Sequence, residues 1–382
     1  MIKIALLGST GSIGRQLLNV VDRYPDKFEI VSMAAGSNVA LFSMQVNKYK
    51  PKIACLTDAE KAFQITELPK NTQFYYGENA LYHAVTNDAD IVFDAVMGYA
   101  GLKAVKLAVE LKKNVALANK ETLVAGGGLI MPMANKNGVK IIPVDSEHSA
   151  IWQCLNFNCE KEFKKLIITA SGGALRGVDI DKLSSVTAKD ALMHPNWKMG
   201  KKITVDCATM VNKGFEVMEA MWLFNAKREE IEVAIHPESI VHSLVEFSDG
   251  AVLAQMGVPS MEIPIQLALT YPNRLKTLTE PLKLTGKTLS FLEIDNNRYP
   301  AFSVCDKAIS LGGVFPCALS GADERIVELF LQNKIKFTDI SIYLEEVLQK
   351  TENLPLTFEN LEYTDKISRI LVDELYKSRS GL

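Results

Sequence analysis

The chain begins with KIALLGSTGSIG, residues 3–14, in which an apolar run leads directly into a turn that contains three glycines. The apolar run predicts a buried strand, and the residues from Gly14 onward have the pattern of a helix. In a strand–turn–helix unit, glycines let the backbone approach a pyrophosphate, and the helix N-terminus attracts its negative charge. The stretch therefore predicts a dinucleotide-binding site, and a purely structural turn is the alternative.

Strand patterns and helix patterns continue to alternate as far as residue 145. After the first strand, the predicted strands are Phe28–Gly36, Lys52–Thr57, Asp90–Val96, Asn114–Ala118 and Lys140–Asp145. Strands that alternate with helices form a parallel sheet, whose ligands bind at the carboxyl ends of the strands. The predicted fold class is therefore α/β, beginning with a Rossmann-like NADP-binding domain.

The second predicted strand also bears on the choice of nucleotide. Folds of this type that bind NAD usually carry an acidic residue at the end of that strand, which holds the ribose 2′-hydroxyl group. Here the strand ends in AAGSN, residues 34–38, without an acid. Because a carboxylate at this place would repel a 2′-phosphate, its absence favours NADP(H) over NAD(H).

The remaining chain predicts further domains, since a single core rarely grows beyond roughly 250–300 residues. The middle has an α+β pattern, with a strand at Lys164–Ser171 and a helix at about Ala208–Leu223. A Ser-Asp-Gly turn at 248–250 between two apolar runs predicts a β-hairpin. The predicted organisation is a nucleotide domain at 1–144, a catalytic α+β domain at 145–270, a linker at 271–297 and a small helical domain at 298–382.

Composition bears on the partners and the compartment. The net charge of -3 argues against nucleic acid or an anionic membrane as the main partner, because both attract a basic surface. No signal peptide precedes the first strand pattern, and no apolar run reaches the ~20 residues of a membrane span. The six cysteines form no C-x-x-C pair, which favours free thiols in a reducing compartment. We therefore predict a cytoplasmic protein.

Two acidic motifs have the residue types of a metal site. Asp145 and Glu147 stand at the end of a predicted strand, where residues i and i+2 of an extended chain point the same way. Asn212 and Glu216 are four positions apart and share one face of the predicted helix. If Glu216 meets the other two acids, three carboxylates would bind a hard cation such as Mg²⁺ or Mn²⁺. Two solvated acids on the surface are the alternative.

A glycine-rich polar stretch begins at Ser171 and leads to the motif HPNW at 194–197. A loop that carries one imidazole and one indole, from His194 and Trp197, suits a lid that covers a substrate and excludes water. We predict such a lid over about residues 171–201. A packed tryptophan and a histidine at a helix end are the alternative.

Eight motifs follow one another along nearly the whole chain. They are GSTGSIG at 8–14, ANKE at 118–121, DSEH at 145–148, ASGG at 170–173, HPNWKMGKKITVD at 194–206, ATMVNKGFE at 208–216, HPES at 236–239 and YPNR at 271–274. In this order they resemble the 1-deoxy-D-xylulose 5-phosphate reductoisomerase family. A set of this size is far more specific than any single motif, and it favours the functional interpretations over their structural alternatives.

The resemblance implies a homodimeric enzyme that binds NADPH and a divalent cation, Mg²⁺, Mn²⁺ or Co²⁺. It implies conversion of 1-deoxy-D-xylulose 5-phosphate to 2-C-methyl-D-erythritol 4-phosphate in the non-mevalonate isoprenoid pathway. The metal ligands would be Asp145, Glu147 and Glu216. The catalytic and substrate residues would be Lys120, Ser146, Glu147, Ser171, His194, Cys207, Asn212, Lys213 and Glu216, with Trp197 on the lid. NADPH would contact Thr10, Gly11, Ser12, Ile13, Gly36, Ser37, Asn38, Asn119, Glu121, Gly200 and Met261.

Several positions depart from the pattern of that family, and two of them bear directly on the ligands. Cys207 stands where the family has a serine that donates to the substrate phosphate, and a thiol is the weaker donor. Ser37 replaces a basic residue of some members, which bears on the preference for NADPH. The alternatives are another NADP-dependent dehydrogenase of Rossmann type, such as a semialdehyde or homoserine dehydrogenase, and a non-catalytic NADP sensor. Those dehydrogenases lack the carboxylate set, and a sensor would have lost part of it.

Overall fold

The protein is described by a computed structural model for residues 1–158 and 162–381, and the chain divides into two compact units. Unit 1 comprises Met1–Thr122, Ile130–Ser146 and Met261–Glu280. Unit 2 comprises Leu123–Leu129, Glu147–Ser260 and Pro281–Leu382. The predicted nucleotide-binding turn lies in unit 1, and the predicted lid lies in unit 2.

Unit 1 is built on a parallel sheet of seven strands. Numbered along the chain, they are β1 (Ile2–Leu7), β2 (Phe28–Ala35), β3 (Ile53–Leu56), β4 (Gln73–Tyr76), β5 (Ile91–Asp94), β6 (Asn114–Leu117) and β7 (Ile141–Pro143). The helices that accompany them are α1 (Ser12–Arg23), α2 (Val39–Tyr49), α3 (Ala80–Val85), α4 (Ala100–Glu110), α5 (Glu121–Asn137) and α10 (Glu262–Thr270), with a 3-10 helix at Ala59–Gln64.

The order of the strands, β4-β3-β2-β1-β5-β6-β7, determines where a ligand can bind. From β1 the chain first builds the sheet outward through β2, β3 and β4, and it then returns to add β5 on the other side of β1. A crevice forms outside the carboxyl ends of the strands at such a reversal of order. The glycine turn follows β1 directly, so it lies at this switch point.

The prediction of an α/β fold is confirmed, and each predicted strand of this region is present within a few residues of its expected ends. The sequence analysis did not predict β4. This strand has only four residues, none of them fully buried, and it forms the edge of the sheet. An apolar run is therefore not required there, and the signal on which the prediction depended is missing.

Unit 2 contains a second sheet, in the order β11-β10-β8-β9. Its strands are β8 (Lys165–Ala170), β9 (Ile231–Ile235), β10 (Val241–Glu246) and β11 (Val252–Met256). β8 and β9 are parallel, whereas β10 is antiparallel to both β8 and β11. The predicted hairpin is thus confirmed, and Gly250 has the positive φ of 86° that its turn requires.

The helices of unit 2 enclose a second core. They are α6 (Ser146–Cys154), α7 (Ala188–Ala191), α8 (Lys201–Thr209), α9 (Val211–Leu223), α11 (Pro300–Leu311), α12 (Phe315–Leu331), α13 (Asp339–Lys350) and α14 (Phe358–Ser380), with 3-10 helices at Ile180–Ser185 and Arg228–Glu230. Side chains such as Phe215, Leu319 and Leu344 are fully buried between them. The helical character of the C-terminal part is confirmed. Within the part of the chain that is described, no helix has the length and apolar character of a membrane span.

Two local predictions for unit 2 are wrong. The helix predicted at Ala208–Leu223 is in fact two helices, because Met210 has a left-handed backbone with φ of 65° and separates α8 from α9. Glu147 does not continue an extended strand from Asp145, since α6 begins at Ser146 and places Glu147 in its first turn. The sequence predicted a strand that extends to Asp145, whereas β7 ends at Pro143.

Candidate active site

The glycine turn of unit 1 packs so closely against backbone atoms that two of its positions have no room for a side chain. Gly8 has φ of 87°, and a Cβ atom on it would lie 2.3 Å from the carbonyl oxygen of Ala95. A Cβ on Gly14 would lie 2.2 Å from the carbonyl oxygen of Gly8, so α1 packs directly on the turn. Gly11 forms the N-cap of α1 without a side-chain hydrogen bond. The N–H groups of the first helical turn therefore have no side-chain cap and can bind an anion.

The other cofactor residues predicted in unit 1 lie at the carboxyl ends of neighbouring strands. Gly36, Ser37 and Asn38 are exposed after β2, and Asn38 caps α2 by accepting from the N–H of Leu41 at 3.2 Å. Of the remaining three, Asn119 lies between β6 and α5, Glu121 is the first residue of α5, and Met261 is the N-cap of α10. Gly200, at the N-cap of α8, belongs to unit 2.

Two polar side chains at this edge of the sheet, Asn119 and Ser9, have buried atoms without a described hydrogen-bond partner. The amide nitrogen of Asn119 donates to the carbonyl oxygen of Gly98 at 3.0 Å, whereas its Oδ1 is buried without a partner in residues 1–158 and 162–381. The hydroxyl of Ser9 is likewise buried without a described partner. Buried polar atoms normally have partners, so these two atoms are suited to a bound polar ligand.

The carboxylates of Glu147 and Glu216 meet in unit 2. Glu147 lies in the first turn of α6 and Glu216 in α9, and oxygen atoms of the two lie within 4.8 Å of each other. Lys213 donates from Nζ to Oε1 of Glu147 at 2.9 Å and also to Oε2 of Glu216. Burial opposes the charge on Lys213, but the two carboxylates outweigh it and raise the pKa of the ammonium group above its ordinary value.

This arrangement fits a divalent cation. Two carboxylates in a buried place require a positive charge, and here the ammonium group of Lys213 supplies it. Carboxylate oxygens are the ligands that Mg²⁺ and Mn²⁺ prefer. The predicted helix face is also present, since Asn212 donates from Nδ2 to Oε1 of Glu216, one helical turn further along α9. The chemistry of the donor set is therefore suitable for a metal.

Two of the predicted residues at the end of unit 1, Lys120 and Asp145, form an ion pair. Lys120 lies just before α5 and Asp145 follows β7, and both side chains are nearly buried. Ser146 begins α6 and is also buried. In the chain, only Ser146 separates Asp145 from Glu147.

Ser171 and His194 form a hydrogen-bonded pair in the predicted lid segment. Nδ1 of His194 faces the backbone N–H groups of Asn196 and Trp197, at 3.2 and 3.0 Å, and must accept from them. Nε2 therefore carries the proton and donates to Oγ of Ser171 at 2.8 Å. Burial, followed by the charge of Arg176, lowers the pKa of His194, which favours this neutral form.

The same hydroxyl accepts a second hydrogen bond, from the N–H of Gly173 at 3.2 Å. Since both lone pairs of Ser171 Oγ accept hydrogen bonds, its own proton remains available to donate to a ligand. A Cβ on Gly173 would lie 2.5 Å from the carbonyl oxygen of Cys207, so this loop packs tightly on α8. Ser171 and Cys207 are thereby held in one region of unit 2.

The HPNW turn is fixed to a neighbouring loop. Asn196 donates from Nδ2 to the carbonyl oxygen of Pro237 at 2.6 Å and to Oγ of Ser239 at 2.9 Å. Trp197 is half-buried, with its ring centroid 6.1 Å from that of His242. The structure thus connects two of the sequence motifs, HPNW and HPES, by side-chain hydrogen bonds.

Comparison with known families identifies the chain. The model described as "1-deoxy-D-xylulose 5-phosphate reductoisomerase" matches residues 4–127. The model described as "1-deoxy-D-xylulose 5-phosphate reductoisomerase C-terminal domain" matches 141–224, and that described as "DXP reductoisomerase C-terminal domain" matches 256–371. The chain belongs to the 1-deoxy-D-xylulose 5-phosphate reductoisomerase family. The resemblance predicted from the motifs is confirmed.

Individual members of the reductoisomerase family match the chain over most of its length. The protein of that name from Nostoc sp. is 47% identical and covers 92% of this chain and 89% of its own. That from Geobacter metallireducens is 45% identical and covers 95% of each. A solved structure of the Zymomonas mobilis reductoisomerase in complex with NADPH is 36% identical, with a TM-score of 0.91 over 99% of both chains. The other-dehydrogenase and sensor alternatives are not favoured.

A second solved reductoisomerase bears on the ligands of the family. It is in complex with NADPH, fosmidomycin and magnesium, and it matches 99% of this chain with a TM-score of 0.93 and 36% identity. The prediction that the family uses NADPH and a divalent cation is therefore confirmed.

The sequence analysis did not predict a buried pair formed by His148 and Glu219. His148 faces the carbonyl oxygen of Glu216 with Nε2 at 2.8 Å, so this nitrogen must donate. Nδ1 of His148 lies 3.2 Å from Oε2 of Glu219, and both side chains are fully buried. Glu219 is three positions after Glu216 on α9. This spacing places both side chains on one face of the helix, and it could have been recognised in the sequence.

Proposed function

We infer that the protein catalyses the NADPH-dependent isomerisation and reduction of 1-deoxy-D-xylulose 5-phosphate to 2-C-methyl-D-erythritol 4-phosphate, with the aid of a divalent cation. The observation that carries this inference is the meeting of Glu147 and Glu216 at Lys213, in a chain that belongs to the family along most of its length. A sensor that only binds NADPH would not need paired carboxylates in a buried place.

The metal would be held by Asp145, Glu147 and Glu216. Support comes from the pairing of the two glutamates and from the position of Asp145, which precedes Glu147 by two residues. A bound divalent cation polarises a carbonyl group and acidifies a hydroxyl group, which are the two effects that a rearrangement of a hydroxyketone requires. We propose Mg²⁺, Mn²⁺ or Co²⁺, and magnesium is the ion named for a solved relative.

The phosphate of the substrate would be bound by Ser171, Cys207, Asn212 and Lys213. The free proton of the Ser171 hydroxyl supports its role as a donor, because His194 and Gly173 fill both of its lone pairs. Lys213 carries a positive charge that a phosphate dianion can share with the carboxylates. Binding energy gained at this end of the substrate positions the end that reacts.

The reacting end would contact Lys120, Ser146 and Glu147, and Trp197 would cover the bound substrate. Lys120 forms a nearly buried ion pair with Asp145 and neutralises its charge. The half-buried indole of Trp197, held by the Asn196 hydrogen bonds, supports a role in excluding water. His194 would orient Ser171 rather than exchange protons, because its two nitrogens are both engaged.

NADPH would bind at the carboxyl edge of the unit 1 sheet and supply the hydride for the reduction. The proposed contacts are Thr10, Gly11, Ser12, Ile13, Gly36, Ser37, Asn38, Asn119 and Glu121, with Gly200 and Met261. Support comes from the uncapped N-terminus of α1 and from the unpartnered Oδ1 of Asn119 in the described chain. The exposed hydroxyl of Ser37 would take the place of a basic residue at the 2′-phosphate.

We also propose a homodimer. β11 is the edge of its sheet, and two of its consecutive apolar residues, Val252 and Leu253, are 49% and 48% exposed. An exposed apolar edge strand is a ready surface for pairing with another chain. A second copy of the same strand would form hydrogen bonds with its backbone groups and would cover its exposed apolar side chains.

A cytoplasmic location is a further proposal. The five described cysteines form no disulfide bond with one another, and Cys159 lies outside the described residues. Reduced thiols are typical of the cytoplasm.

The test of the proposed activity is oxidation of NADPH by 1-deoxy-D-xylulose 5-phosphate, followed by absorbance after chelation and again after Mg²⁺ or Mn²⁺ is restored. We expect oxidation only with the metal. Glu216→Gln should lower kcat/KM by at least about a hundredfold, because it removes a ligand worth several kcal/mol.

Glu246→Gln is the matched control, since this glutamate pairs with Lys164 at the sheet surface and should leave the rate unchanged. Mn²⁺ binding measured by electron paramagnetic resonance gives a second readout that does not depend on turnover. Full activity in Glu216→Gln, or turnover without any divalent cation, would contradict the proposed metal site.

A further inference from the structure

The loop that follows β8 begins with Ser171 and two consecutive glycines. Gly172 and Gly173 are both buried, and both have left-handed backbone, with φ of 79° and 71°. Because glycine adopts positive and negative φ with similar ease, the peptide group between two glycines can rotate unless its contacts hold it. The orientation of this peptide group therefore depends on its partners.

The peptide group between Gly172 and Gly173 forms a hydrogen bond at each end. Its N–H, from Gly173, donates to Oγ of Ser171 at 3.2 Å. Its carbonyl oxygen, from Gly172, accepts from the hydroxyl of Tyr299 at 3.0 Å. The group is trans and planar, so its C=O and N–H point in opposite directions. The hydrogen bond from Tyr299 thus holds the group in the orientation in which the N–H of Gly173 points at Ser171.

Tyr299 has a fixed position relative to this loop. It is the N-cap residue of α11, and only 4% of it is exposed. The preceding residue, Arg298, donates from Nη1 to the carbonyl oxygens of Leu175 at 3.2 Å and Val178 at 2.7 Å, further along the same loop. The start of α11 is therefore joined to the loop at three carbonyl groups. Since a carbonyl oxygen only accepts, the hydroxyl of Tyr299 must be the donor.

The hydrogen bond from Gly173 affects what the hydroxyl of Ser171 can do. Oγ accepts this bond together with one from Nε2 of His194 at 2.8 Å. With both lone pairs engaged, the hydroxyl proton has its direction set and can be donated to a ligand. If the peptide group rotated, Oγ would lose one of the two bonds that set this direction.

We propose that Tyr299 is a positioning residue for the substrate phosphate: its hydroxyl holds the Gly172–Gly173 peptide group, and this group holds the hydroxyl of Ser171 in the orientation that donates to the phosphate. The inference rests on the proposed function, in which Ser171 binds the phosphate of the sugar. Tyr299 acts through the loop and not by contact with the substrate. A helix that begins more than a hundred positions after the loop thereby contributes to substrate binding.

Tyr299→Phe removes the hydroxyl and keeps the ring, so it tests this role. We expect the KM for 1-deoxy-D-xylulose 5-phosphate to rise by about three- to tenfold, the loss of roughly one hydrogen bond, with no change in the Kd of NADPH. In a Ser171→Ala background the same change should raise KM by less than about twofold, because the hydroxyl that Tyr299 orients is gone. An unchanged KM in Tyr299→Phe, or losses that simply add in the double variant, would overturn the proposal.

Nuclear magnetic resonance observes the peptide group itself, without turnover. Glycine labelled with ¹³C at its carbonyl carbon and with ¹⁵N gives an HNCO signal only where two glycines are adjacent, at 126–127, 127–128, 172–173 and 312–313. We expect Tyr299→Phe to shift the 172–173 signal and to leave the others in place, which also shows that the variant is folded. A 172–173 signal that does not move would mean that the hydroxyl does not hold this group, and the proposal would be wrong.

Tyr24→Phe is the matched control. The hydroxyl of Tyr24 also donates to a backbone carbonyl, that of Lys276, but both residues belong to unit 1. This variant should leave the KM for the sugar phosphate and the 172–173 signal unchanged. No turnover of the sugar phosphate by the wild-type chain would overturn the proposed function and this inference with it. Normal turnover by the wild type, with the same KM in Tyr299→Phe, contradicts the role of Tyr299 alone.

Discussion

At the scale of single residues, the site combines groups whose protonation follows from their neighbours. His194 is neutral because backbone N–H groups face Nδ1, and this leaves Nε2 to donate to Ser171. Lys213 stays charged although it is buried, because its ammonium group forms ion pairs with Glu147 and Glu216. A neutral imidazole and a charged ammonium group are both suited to receiving a phosphate dianion without a change in protonation.

Cys207 carries a prediction at this scale. It lies in α8 against the loop of Ser171, and it is half-exposed, whereas the other described cysteines are buried. Because a hydroxyl is the stronger donor to a phosphate, Cys207→Ser should lower the KM for the sugar phosphate by about two- to tenfold, with little change in kcat. Steady-state kinetics with saturating NADPH measure both constants, and an unchanged KM would contradict the idea that the thiol is the weaker donor.

The exposure of Cys207 supplies an independent check on the same residue. A small alkylating reagent should inactivate the wild-type chain, and the sugar phosphate should protect it. Cys207→Ser should resist, since burial raises the pKa of Cys55 to about 12 and that of Cys154 to about 11 and keeps both thiols unreactive. Equal rates of inactivation in the two proteins would place the reactive thiol elsewhere.

At the scale of elements, α9 has to hold Lys213 and Glu216 on one side while its other side packs in the helical core. Gly214, between these two residues, makes this possible. A Cβ on Gly214 would lie 2.4 Å from both Cβ and Sγ of Cys305, so α9 and α11 approach each other closely. The glycine of the NKGFE motif is thus explained by helix packing and not by flexibility.

Gly214→Ala should therefore destabilise unit 2 although alanine favours helices. We expect a loss of about 1–3 kcal/mol in the free energy of unfolding from overpacking, reduced by up to ~1 kcal/mol of helix propensity. Urea denaturation followed by circular dichroism measures the difference.

A second substitution tests the cause. Adding Cys305→Gly should restore much of the stability, because it removes the atoms that the new methyl group meets. Cys305→Ala should not, since it leaves the Cβ atom in place. Gly177→Ala is the matched control, because a Cβ there has open space. Equal stability of Gly214→Ala and wild type would show that the two helices separate without cost.

At the scale of the whole molecule, the described chain leaves an apolar edge uncovered. The opposite edge of the unit 2 sheet differs, because Leu292 forms a bridge to Ile235 of β9. β11 has β10 as its strand partner within the chain and carries exposed Val252 and Leu253. The contrast between the two edges supports pairing through β11.

Replacing Leu253 by glutamate should convert the proposed dimer into a monomer. A charge on each copy of the strand would repel its counterpart and would lose water in the interface, so we expect the dimer Kd to rise by at least about a hundredfold. Sedimentation velocity at several protein concentrations measures this change. Ile342→Glu is the control, since Ile342 is an exposed apolar residue of α13, away from the sheet. A dimer that persists in Leu253→Glu, or a wild-type monomer, would contradict the proposal.

The sequence alone predicted the features that depend on local order. The alternation of apolar strands and helices in the first part of the chain predicted a parallel sheet, and GSTGSIG predicted the turn after β1. Apolar periodicity and glycine geometry act over a few residues, so they can be recognised without knowledge of the tertiary contacts. The break at Met210 and the short β4 were missed because neither changes that periodicity.

Only the tertiary structure decided which charged groups meet. Glu147 and Lys213 are 66 positions apart, and no spacing in the sequence brings them together; the packing of α6 and α9 does so. Asp94, the last residue of β5, is a further case, because an acid at the end of an apolar strand resembles any loop residue until β1 and β6 bury it. Local sequence determines the elements, whereas the charges and protonation states of a site depend on what burial removes from water, and burial is a property of the folded chain.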